Sequence, residues 1–162
     1  MTPTRLAIAA ALTLAAATAS ATNLGTIDLS SGSAGFSTTP AAGGFTDTLT
    51  FTLVTASIFN GSITSVLNGN QDVDFTSISL AGPSGMFFFN LVLGDPVELW
   101  AVPGAGFSLG AGTYTLTMTG SNSAAIGSYA GNLAASAVPE PETYALLLAG
   151  LLGIGFIARR RR

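Results

Sequence analysis

Across residues 22–137 apolar and polar positions alternate with a period of two, and no helical period of useful length appears. The clearest run is 45–53, where Phe45, Leu49, Phe51 and Leu53 share one parity and Thr46, Thr48, Thr50 and Thr52 take the other. Residues 113–119 repeat the pattern, with Tyr114, Leu116 and Met118 set against threonines, and Ile27 and Leu29 alternate in the same way. Successive side chains of a strand point to opposite faces, so each run predicts a strand with one face in a core and a threonine face toward solvent. Residues 86–93 are apolar on both parities (Met86, Phe87, Phe88, Phe89, Leu91, Val92, Leu93), which predicts a central strand covered on both sides. Further strands are expected over 73–80 and 129–133.

Turn signals separate these runs: Asn60-Gly61, Asn68-Gly69, Gly82-Pro83, Gly94-Asp95-Pro96, Pro103-Gly104 and Gly110-Ala111-Gly112. Short strands punctuated about every 8–12 residues predict an all-β fold, a single antiparallel β-sandwich or jelly-roll-like domain. Two segments fall outside the pattern. Residues 1–21 carry one positive charge at Arg5, an alanine and leucine run, and small residues at Ala19 and Ala21. They predict a signal peptide helix cleaved after Ala21. Residues 138–162 hold Pro139, Glu140 and Pro141, then an uncharged apolar run from 144 to 158, then Arg159, Arg160, Arg161 and Arg162. This predicts a transmembrane helix over 143–158 held by a cytoplasmic arginine stop, short for its task at roughly 23 Å of apolar helix.

Charge sharpens the picture. The five basic residues are Arg5 and the four terminal arginines, so no cationic side chain occurs anywhere from 6 to 158. Such a domain cannot neutralise phosphates, which excludes conventional nucleic-acid binding, and it cannot form an internal salt bridge. Cysteine and histidine are absent. Ser/His and Cys/His nucleophile pairs, thiolate and imidazole metal sites and lysine Schiff bases are therefore excluded, leaving carboxylates, hydroxyls and tyrosines.

The three-part tail resembles the PEP-CTERM sorting signal of Gram-negative bacteria. The resemblance implies recognition by exosortase, a membrane protease-transferase, after export by the Sec machinery. The precursor would sit in the inner membrane through its C-terminal helix and lose the tail near Pro139, Glu140 and Pro141. The remaining domain would go to the cell surface or the extracellular matrix. Within it, Phe45-Thr46-Asp47-Thr48-Leu49-Thr50-Phe51 resembles the FxDxF branch of such proteins, keeping Phe45 and Asp47 with Leu49 in place of the second Phe and Phe51 beyond it. Gly112-Thr113-Tyr114-Thr115-Leu116 and Ser128-Tyr129-Ala130-Gly131 extend the resemblance. The branch implies a location and no chemistry.

Among residues that could carry chemistry, Asp47 shares the parity of the core positions. Its carboxylate must either take hydrogen bonds from backbone N–H groups or threonine hydroxyls at the strand entry, or help hold a cation. Asn68, Asn70, Asp72 and Asp74 place oxygens at alternate positions, which suits a polar hairpin or the opening of a calcium loop, although the later glycine and glutamate of such a loop are missing. Asp95 and Glu98 form the remaining carboxylate pair. They read as a glycosidase-like acid and base or, for Asp95 between Gly94 and Pro96, as turn chemistry. Trp100 is a sugar-stacking surface or a core residue, and Asn60-Gly61-Ser62 a turn or a glycosylation acceptor. The expected protein is an exported, non-catalytic component of the surface or biofilm matrix, needing no cofactor. The alternative is a carbohydrate-binding module for extracellular polysaccharide, with calcium as its one conceivable ion.

Overall fold

The computed structural model describes residues 19–124, 126–139 and 141–160, so most of the expected signal peptide, Glu140, Arg161 and Arg162 lie outside the described residues. Among the described residues eleven strands build two packed sheets. One holds β1 (Ser20–Thr26), β3 (Gly43–Leu53), β10 (Gly112–Asn122), β5 (Val73–Gly82) and β6 (Gly85–Phe88) in the order β1-β3-β10-β5-β6. The other holds β2 (Ser33–Thr38), β11 (Tyr129–Ala137), β4 (Ser57–Val66), β8 (Val97–Ala101) and β7 (Asn90–Leu93) in the order β2-β11-β4-β8-β7, with β9 (Phe107–Leu109) also pairing β4. The expected β-sandwich is present. One pairing departs from the antiparallel expectation: β1 runs parallel to β3. The chain leaves β1 for β2 in the opposite sheet and returns beside its starting point, so both strands enter the sheet in the same direction.

The alternation read from the sequence becomes the core. Phe45, Leu49, Phe51 and Leu53 of β3 and Tyr114, Leu116 and Met118 of β10 are buried. Their threonines line up across the outer face as Thr46 opposite Thr119, Thr48 opposite Thr117, Thr50 opposite Thr115 and Thr52 opposite Thr113. Cross-strand threonine pairs stabilise a sheet through methyl contact and hydroxyl bonding, and Thr52 Oγ1 lies 2.9 Å from Thr113 Oγ1. Phe51 stacks between Phe59 and Tyr114 with ring centroids 5.0 and 5.7 Å away, joining the sheets. Gly120 sits where β10 crosses a bulge in its pairing with β5; a Cβ there would collide with the Asp74 carbonyl, so the close approach requires glycine.

The apolar run 86–93 is not the central strand its composition predicts. It forms β6 at the edge of one sheet and β7 at the edge of the other, switching sheets at the buried Phe89. The most interior strands are β10, between β3 and β5, and β4, between β11 and β8. A strand that changes sheets turns both parities toward different surroundings, so its continuous apolar character does not report burial on two faces. Met86, Phe88, Leu91, Val92 and Leu93 are more than half exposed.

The hydrophobic core, with the side chains packed against it, is drawn from residues between Leu24 and Ala135, so the domain is complete without the tail. The tail forms α1 (Pro141–Arg160), whose large apolar residues from Tyr144 to Ile157 are exposed throughout. The expected transmembrane helix is corrected here: among the described residues no helix is long and apolar enough to cross a membrane. Gly150, Gly153 and Gly155 dilute the apolar run and the arginines close it, leaving about 23 Å of apolar helix against about 30 Å of hydrocarbon.

Candidate functional site

The sorting element begins where the sheet ends. The last bond into the sandwich runs from the Val138 N–H to the Ala56 carbonyl, 2.9 Å. Pro139 has no N–H to continue the ladder, and Pro141 opens α1 at the first helical position, where a missing N–H costs nothing. Glu142 lies in the first turn and Arg159 and Arg160 in the last, each complementing the helix dipole. The result is a proline break after the last strand, an apolar helix free of charge from 144 to 158, and a cationic end. Residues 137–162 match the PEP-CTERM protein-sorting motif. The chain ends in a PEP-CTERM sorting signal. Such a tail implies an exported protein that is sorted by exosortase.

No curated protein matches the chain. Among solved structures it is similar to the pre-peptidase C-terminal domain of a collagenase from Bacillus anthracis, at 17% identity and a TM-score of 0.40 over 72% of this chain and 94% of that one. It is also similar to PliG, a periplasmic inhibitor of g-type lysozyme from Aeromonas hydrophila, at 16% identity and a TM-score of 0.37 over 74% and 100% of the two chains. A GH26-CBM35 β-(1,4)-mannanase from Podospora anserina is similar at 16% identity and a TM-score of 0.35, over 68% of this chain and 29% of that one.

Within the sandwich, Asp47 points into the core as its parity requires and is 1% exposed. Its partner is neither a backbone N–H nor a threonine. The Tyr129 hydroxyl donates to Asp47 Oδ2 at 2.7 Å, reaching from β11 in the opposite sheet. Oδ1 has no partner. Phe45 stacks on Tyr129 at 5.8 Å, and Phe75 meets the same ring edge-on at 5.0 Å. Burial, then the Asp47 bond and charge, push the Tyr129 hydroxyl far above its ordinary pKa. Phe45 and Asp47 thus clamp one tyrosine and tie the two sheets together.

Glu98, the other buried carboxylate, is also committed to structure. Its Oε2 accepts the Phe75 N–H at 3.0 Å and its Oε1 the Trp100 indole N–H at 2.8 Å. Ser65 Oγ lies 3.4 Å from Oε2. Trp100 is accordingly half-buried, packed against the core and tethered by its only polar atom. The carboxylates of Asp72 and Asp74 converge with that of Asp95, all within 4.8 Å of one another. Burial first, then repulsion from Asp74 and Asp95, raises the Asp72 pKa above the usual carboxylate range. Asn68 closes a tight turn through reciprocal backbone bonds with Gln71, and the Asn70 carbonyl accepts from Ser123 Oγ at 2.8 Å. Asp28 caps its own turn through Ser30, whose two bonds lower its pKa.

Next to the Asn68 turn lies an open groove of about 600 Å³, lined by Ser37, Thr64, Asn68, Gln71, Ser128 and Tyr129 with Val66 and Leu67. Its side chains are uncharged, offering hydroxyls and amides over an aliphatic wall. No short sequence motif marks it, because its walls come from β2, β4, β11 and the turn after β4.

Proposed function

We propose that the protein is a non-catalytic component of the cell surface or extracellular matrix, delivered by its PEP-CTERM tail after removal of an N-terminal signal peptide. The observation that carries this reading is the fate of the carboxylates in a domain with no histidine, cysteine or lysine. Asp47 and Glu98 are consumed in buried bonds between sheets, Asp28 caps a turn, and the clustered Asp72, Asp74 and Asp95 do not line the groove. General acid–base catalysis needs a carboxyl free to exchange a proton with a substrate beside it. The test is the intact mass of the protein recovered from its producing cells. A mass lacking residues 1–21 and everything beyond the Pro139 region supports exosortase processing; a mass that still includes Arg159 to Arg162 overturns it.

A second reading is favoured by the groove. Neutral hydroxyl and amide groups beside aliphatic carbons suit a neutral saccharide, whose ring presents hydroxyls at its rim and C–H groups on its faces. The domain carries a few carboxylates and no cationic side chain, which makes a neutral polymer a better ligand than an anionic one. Co-sedimentation of residues 20–138 with neutral and with anionic polysaccharide tests this. Saturable binding to the neutral polymer that Gln71→Ala weakens supports it, and no binding to either polymer removes it. Repeating the titration in calcium and in chelator tests whether binding depends on the ion.

A further inference from the structure

The sheet-switching segment leaves one flank of the sandwich in an unusual state. β6 ends the first sheet and β7, starting one residue after the buried Phe89, ends the second, so both edges lie on the same side of the molecule. Among the described residues β6 pairs only with β5 and β7 only with β8, so there each has an outer row of backbone N–H and C=O groups free of strand partners. Natural edges are usually blunted by lysine, proline or inward-pointing charge. Here Met86, Phe88, Leu91, Val92 and Leu93 are 62%, 57%, 53%, 55% and 52% exposed, and neither strand carries a charged residue. Together these five residues present roughly 500 Å² of exposed surface per copy, the larger part of the about 800 Å² each partner contributes to a standard interface.

We propose that this flank joins two copies of the chain in a closed two-fold dimer, with β7 of one copy running antiparallel to β7 of the other. Charge selects both occupant and arrangement. A partner docking by opposite charge would find no charged side chain on either strand, whereas two uncharged edges meet without repulsion. Asp95 follows β7 directly and belongs to the Asp72, Asp74 and Asp95 cluster. Antiparallel pairing sends the two clusters to opposite ends of the joint, and parallel pairing would set six carboxylates against each other. The opposite flank, β1 and β2, is built from serine, threonine, glycine, alanine and asparagine apart from Leu24 and Phe36, which are packed on the core. A molecule with one apolar flank makes an isologous contact that closes, and does not propagate into a filament. The dimer goes beyond the export reading and does not depend on it.

Residues 20–138 contain the whole core and both sheets, so they test the proposal without the apolar helix α1. Sedimentation equilibrium and light scattering at low-micromolar concentration should give twice the monomer mass. Val92→Lys and, separately, Phe88→Lys place facing like charges on the joint, and each should raise the dimer Kd about 100-fold while leaving the far-UV spectrum unchanged. Ser33→Lys, on the β2 edge, should leave the dimer intact. A monomer at every concentration, a growing series of larger species, or a dimer indifferent to both flank lysines would each overturn the proposal.

Discussion

Tyr129→Phe removes one oxygen atom and keeps the ring that stacks on Phe45 and meets Phe75. What is lost is the 2.7 Å bond to Asp47 Oδ2. Oδ1 already lacks a partner, and Asp47 is 1% exposed, so the variant strands a carboxyl group in the core with neither oxygen bonded. Leaving a buried polar group without its hydrogen-bond partner costs about 1–3 kcal/mol, and more for a charged one. For a domain of this size that lowers Tm by on the order of 10 °C. Denaturant melts of residues 20–138 with the wild-type, Tyr129→Phe, Asp47→Val and double variants measure it directly. In the Asp47→Val background the tyrosine hydroxyl is itself the orphan, so Tyr129→Phe should there be neutral or stabilising. The reasoning is refuted if Tyr129→Phe costs under about 1 kcal/mol in the wild-type background, or the same in both backgrounds.

The same hydroxyl makes the fold's stability depend on pH in the alkaline range. Its folded pKa is raised, so its contribution is fully present below the ordinary tyrosine value of about 10 and is lost as pH climbs above it; stability should fall more steeply there in the wild type than in Tyr129→Phe. Glu98→Ala leaves the Phe75 N–H and the Trp100 indole N–H without acceptors, at a cost of about 3 kcal/mol. Its readout is a lowered denaturation midpoint with a red shift of tryptophan emission as the ring loosens. Asp72 has a raised folded pKa, so the folded state favours its protonated form and stability is lost as pH rises through that value. Asp72→Asn should therefore raise Tm at pH 7 and give no gain in acid, below the ordinary carboxylate range of about 4.

Local pattern was enough for the class of fold and for the tail. A strand's faces are set by parity, so the threonine runs of 46–52 and 113–119 declared their outer and inner sides before any pairing was known, and the two runs turned out to be neighbours facing the same way. A sorting signal is a contiguous string of chemistry, legible in order from Pro139 to the arginines. Parity placed Asp47 on the core side, where the sequence offered it backbone N–H groups, threonine hydroxyls or a cation. Only the tertiary structure could say that its partner is Tyr129, 82 residues along the chain. It alone brought Asp95 to Asp72 and Asp74, set Glu98 under the Phe75 N–H across the sheets, and moved 86–93 from a supposed centre to two edges. Those outcomes depend on which strands end up side by side. Strand order in a sandwich is decided by long-range packing of whole faces, which a period of two specifies for each strand and leaves open between them.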